Sequence, residues 1–138
     1  MRTKTLKIVA AVFAFALLTT ALVFAGGMKG TAYKGWLVDQ LCAMAPDSIA
    51  ADGVDLKVSP EMHSLKCALM PPCIASGYGI YVRKDGGGYE YYKFDKKGST
   101  LAENYLKKTT KQDRIGVEVT GTMKGDTIRV KTLSEAMM

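Results

Sequence analysis

The sequence predicts a mainly β fold in which five short strands close into a small barrel. Three observations predict it. Apolar and polar residues alternate in five runs, glycine-rich turns join two pairs of those runs, and one amphipathic stretch falls between the third run and the fourth. Five strands with a helix between strands 3 and 4 is the order of an OB-like barrel, whose closure reduces the exposed edges a small β protein must otherwise protect. An open antiparallel α+β sheet is the competing architecture.

The first strand covers residues 31–39, where Tyr33, Trp36 and Val38 interleave with Lys34 and Gly35, with an irregularity expected at Gly35. From residue 40 to 72 the alternation vanishes, and Pro46, Asp47, Asp52, Gly53 and Asp55 interrupt the chain. Inside this insertion Ser59 followed by Pro60 predicts a helix over residues 60–69, capped by the serine and stopped at Pro71 and Pro72. Ile80, Tyr81 and Val82 form the second strand and residues 89–94 the third, joined by Asp85, Gly86, Gly87 and Gly88 as a tight turn. Thr100 and Glu103 make a capping box for a short helix carrying Leu101, Ala102, Tyr105 and Leu106, with Lys107 and Lys108 in its last turn. Ile115, Val117 and Val119 alternate in the fourth strand, and Ile128 and Val130 in the fifth, across a turn at Lys124, Gly125 and Asp126.

The N-terminus carries Arg2, Lys4 and Lys7, and residues 8–24 then run without a charge, which is a signal-peptide pattern. Val23, Phe24 and Ala25 place cleavage after Ala25, leaving residues 26–138 as a single domain in the periplasm or outside the cell. The uncharged stretch through Met28 also reaches the roughly 20 residues of a membrane anchor, so contact with a membrane goes through the leader if it stays uncleaved. Arg2, Lys4 and Lys7 supply three of the 19 basic residues, so the remainder carries 16 against 13 acidic ones. That mild excess gives no support to a nucleic-acid partner, which calls for a concentrated basic face.

All three cysteines, Cys42, Cys67 and Cys73, and the only histidine, His63, fall within the insertion and its flanks, close to Asp39. On a helix over residues 60–69, His63 and Cys67 stand four apart on one face. Cys42, His63, Cys67 and Cys73 then form a Cys3His set suited to zinc, and its thiolates also suit Cu(I). Asp39 is placed to accept the His63 ring N–H or to cap the turn after the first strand. The competing reading leads: in an oxidising compartment two of the cysteines pair, and a disulfide braces the insertion by about 2–4 kcal/mol. The odd thiol is then free for a disulfide-linked dimer. Blue copper lacks its second histidine, covalent haem its C-x-x-C-H, and thioredoxin chemistry its C-x-x-C. A Cys67–His63 nucleophile is the enzyme alternative, without a visible oxyanion hole. Tyr78, Tyr81, Tyr89, Tyr91 and Tyr92 read as core and cross-strand pairs ahead of a stacking platform. The methionines form no Met-x-x-Met array and read as core fillers and a frayed C-terminus.

Several motifs carry a family likeness. They are Gly35-Trp36-Leu37-Val38-Asp39-Gln40-Leu41-Cys42, His63-Ser64-Leu65-Lys66-Cys67, Cys73-Ile74-Ala75-Ser76-Gly77-Tyr78, Val117-Glu118-Val119-Thr120-Gly121-Thr122 and Gly125-Asp126-Thr127-Ile128. Over residues 31–133 the chain resembles a family of small exported bacterial domains of uncharacterised function. The resemblance implies export and an OB-like β-barrel, and no activity. The function expected is therefore non-enzymatic: binding of an envelope partner or small ligand by the disulfide-stapled insertion. A zinc- or copper-binding protein is the alternative and a thiol-dependent enzyme the second.

Overall fold

The computed structural model describes residues 30–138, so the leader expected over residues 1–25 and its cleavage point lie outside the described residues. The five expected strands are present: β1 (Thr31–Asp39), β2 (Tyr78–Arg83), β3 (Tyr89–Phe94), β4 (Gly116–Lys124) and β5 (Thr127–Glu135). β1 pairs antiparallel with β2 on one side and β4 on the other, β2 pairs antiparallel with β3, and β4 with β5. The remaining gap is bridged by a parallel contact, Lys93 beside Thr127 and Phe94 beside Ile128. The sheet is therefore mixed and closes in the order β1-β2-β3-β5-β4. The open, all-antiparallel alternative does not hold.

Strand β1 makes this closure without the break expected at Gly35. It pairs with β4 from Thr31 to Trp36 and with β2 from Trp36 to Asp39, so one strand changes neighbours at the tryptophan. Gly35 serves close approach instead: a Cβ there would stand 2.1 Å from the Tyr81 carbonyl oxygen. The β2–β3 turn does use left-handed backbone, with φ of 90° at Gly87 and 74° at Gly88, as a tight hairpin turn requires.

Leu37, Ile80, Phe94, Val117, Val119 and Ile128 fill the barrel, and each of these apolar side chains contributes about 1.5–3 kcal/mol by leaving water. Helix α4 (Lys96–Leu106) adds Ala102 and Leu106 to the same core. It begins four residues before the expected capping box. Asp95 is the cap, accepting from the Gly98 N–H at 2.9 Å, while the Thr100 hydroxyl turns back to the Lys96 carbonyl. Glu103 pairs with Lys107 one turn on, rather than with the helix start.

The insertion differs most from expectation. In place of one helix over residues 60–69 the chain makes α1 (Gln40–Ala43), a 3-10 turn (Pro60–Met62), α2 (Leu65–Ala68) and α3 (Pro71–Ser76). Ser64 interrupts the helix because its hydroxyl accepts from the Cys67 N–H and starts α2 afresh. The same hydroxyl and the Ser64 N–H donate to Asp52, which fixes the break from outside. Pro71 and Pro72 open α3 instead of ending a helix, since proline lacks only an N–H that the first turn leaves unpaired. A second apolar cluster, including Val38, Ala50, Leu56 and Tyr81 with the three cysteines, holds this insertion against the outside of the barrel. Tyrosines fasten the two parts: Tyr78 donates to the Ala68 carbonyl at 2.8 Å and Tyr81 to that of Ala43 at 3.5 Å. Most methionines do not fill the core. Met44, Met62, Met70, Met123, Met137 and Met138 are exposed, Met44 and Met70 at the ends of short helices and Met62 in the 3-10 turn. No helix among the described residues is long and apolar enough to cross a membrane.

Candidate metal centre

Asp39, the last residue of β1, is fully buried at the point where the barrel meets the insertion. It does both things its sequence position suggests. One carboxylate oxygen accepts from the Cys42 N–H at 2.9 Å and caps α1; the other lies 2.8 Å from His63 Nε2. A carboxylate oxygen has room for more than one donor, so these bonds orient Asp39 without exhausting it.

Three short helices bring in the sulfurs. Cys42 comes from α1, Cys67 from α2 and Cys73 from α3, and all three are buried. α1 and α3 are clamped together by the Gln40 N–H donating to the Gly77 carbonyl and the Leu41 N–H donating to the Ser76 hydroxyl. One sulfur from each cysteine and a carboxylate oxygen of Asp39 all lie within 4.8 Å of one another. Cys42 and Cys67 stand 3.9 Å apart, sulfur to sulfur. A disulfide needs about 2.05 Å. Ligands at about 2.3 Å around a tetrahedral zinc are separated by about 3.8 Å.

The three cysteines are free, and no two of their sulfurs stand at the distance the expected disulfide staple requires. The helices aim their sulfurs at a common point instead of pairing two of them. Nor is the odd thiol presented at the surface, where a disulfide-linked dimer would require it.

No family model, curated protein or solved structure matches the chain. The chemistry of the centre must be read from its own geometry.

Burial pushes the Cys73 thiol up to about 12, helped by the Asp39 charge and a hydrogen bond to it and by nearby Cys67. Burial also raises Cys42 well above the usual thiol range, against a hydrogen bond from the Ala51 backbone and with the charges of Asp39, Cys67 and Cys73 adding to the rise. Burial pushes the Asp39 carboxyl upward as well, but hydrogen bonds from His63 and the Cys42 N–H, with the charge of His63, outweigh it and hold the group low. Without a cation, the centre therefore holds a buried carboxylate beside two thiols, Cys42 and Cys73, that resist ionisation. A metal ion bound there would invert that balance, because it would be the largest local charge and would deprotonate the thiols that held it.

His63 does not complete the sulfur cluster. Its ring reaches that cluster through Asp39, and one of its nitrogens groups instead with Cys67 and Asp52, again within 4.8 Å of one another. His63 Nδ1 is buried and has no hydrogen-bond partner. In the sequence Asp52 shows only as a turn-former. Its turn role is real, since it accepts from the Val54 N–H, yet its contact with Ser64 spans 12 residues and leaves no local signature. Asp39 as a donor to the sulfur cluster was legible only as the aspartate three residues before Cys42. For the enzyme alternative, Asp39 does orient His63, but Cys67 is 3% exposed and its sulfur faces the two other sulfurs.

Proposed function

We propose that this protein is an exported OB-like barrel of the cell envelope that binds one thiophilic metal ion, zinc or Cu(I). Cys42, Cys67 and Cys73 supply three thiolates, Asp39 the fourth donor, and His63 supports Asp39 by hydrogen bonding. The observation that carries this reading is the convergence of three unbonded, buried sulfurs and one buried carboxylate oxygen within 4.8 Å. Asp39 has its own tasks in capping α1 and anchoring His63, so the support comes from the three thiols that gather around its carboxylate, a donor set that suits a thiophilic cation. Three soft sulfur donors favour zinc and Cu(I) over magnesium or calcium, which take oxygen ligands. The leader pattern over residues 1–25 supports export, and the helix between strands 3 and 4 with a parallel β3–β5 contact supports the OB-like assignment.

Cobalt(II) titration of the reduced, metal-free protein tests the reading. One equivalent should bind with intense thiolate-to-cobalt absorption and tetrahedral visible bands, and Cys42→Ser, Cys67→Ser and Cys73→Ser should each weaken binding at least tenfold. Displacement by zinc or by Cu(I) then tells which ion the centre prefers. Cobalt that fails to bind, or binds without thiolate absorption, removes the metal reading.

A further inference from the structure

We infer that Asp52, His63 and Cys67 form a second, outer cation position through which a metal ion reaches and leaves the three-sulfur centre. This rests on the metal reading and deepens it by assigning the route. Two independent observations carry it. An Asp52 carboxylate oxygen, a His63 ring nitrogen and the Cys67 sulfur lie within 4.8 Å of one another. His63 is 2% exposed, and its Nδ1 has no partner while Nε2 is held by Asp39. A buried ring nitrogen without a partner forfeits a hydrogen bond it had in water, and a ligand at that position restores the loss.

The two sets share Cys67 and differ in access. The inner donors are all buried, whereas Asp52 is exposed. Asp52, Cys67 and Met70 line a recess of about 260 Å³ on the protein surface. Met70 is 40% exposed and brings a thioether, a soft donor, to the rim of that recess. An ion arriving from solvent meets a carboxylate and a thioether first, then the imidazole and the Cys67 sulfur. Cys67 need not release it for Cys42 and Cys73 to replace His63 and Asp52 around it. Ligand exchange then proceeds one donor at a time, with no step that leaves a bare ion in a buried apolar setting.

The experiment measures rates on the reduced full-length protein, using cobalt(II) as probe. Stopped-flow mixing follows loading, and transfer to excess chelator follows release. Asp52→Asn should keep the one-equivalent thiolate spectrum of the inner centre while slowing loading and release at least tenfold. Ser64→Ala removes the hydroxyl bonded to Asp52 but keeps the carboxylate, so it should stay within about threefold of the unaltered protein. Wild-type rates in Asp52→Asn overturn the outer position and leave the inner centre standing. Equal slowing in Ser64→Ala also overturns it, because Asp52 would then act only through the α2 cap. Failure of the unaltered protein to bind cobalt removes both readings.

Discussion

Asp39 joins three things that are otherwise separate: the end of a barrel strand, the cap of α1 and the anchor of His63. Its carboxyl is held below the usual 3.8 because bonds to His63 and Cys42 outweigh the cost of burial. A carboxyl depressed in the folded state contributes stability that is fully present above its unfolded value and is lost as pH falls through the folded one. In the metal-free, reduced protein Asp39→Asn places an amide N–H or a weaker acceptor against His63, and should cost about 2–4 kcal/mol at neutral pH. Urea unfolding at a series of pH values checks this: the gap between the two proteins should narrow below pH 3.8, and a gap that stays constant contradicts the role given to Asp39.

Helix α4 shows how a helix start is chosen between two competing caps. Asp95 accepts from the Gly98 N–H and also from the Val130 N–H at 3.2 Å, so one side chain caps the helix and ties it to β5. Asp95→Ala should lower stability by about 1–2 kcal/mol, whereas Thr100→Ala, at the expected capping box, should change it by less than about 0.5 kcal/mol. Chemical denaturation of the two variants distinguishes them. The strands were legible because alternation at Val117, Val119, Ile128 and Val130 reports directly which face is buried. Helix starts were less so, because both Asp95 and Thr100 satisfy a local capping pattern and only packing against Val130 chooses between them. In the insertion the break at Ser64 is set by Asp52, and no periodicity carries a contact between residues that far apart.

At the scale of the whole molecule two apolar clusters divide the labour. The barrel interior with α4 and Ala68 of α2 forms one, and the rest of the insertion with its three cysteines packs on Val38 and Tyr81 to form the other. The candidate site was legible as a concentration of rare residues, and its members Cys42, Cys67 and Cys73 do converge. The place of Asp39 rather than His63 beside the three sulfurs was not, because the chain breaks at Ser64 where one helix over residues 60–69 was expected. With the clusters divided in this way, a metal held by the three cysteines would act on the insertion, beside a barrel that has its own core. The most direct measurement of the central claim is the X-ray absorption spectrum of the protein loaded with one equivalent of zinc. Three sulfur scatterers at about 2.3 Å with one lighter donor at about 2.0 Å are the predicted result. A shell of nitrogen and oxygen alone, or a protein whose cysteines are oxidised and which takes up no zinc after reduction, would contradict it.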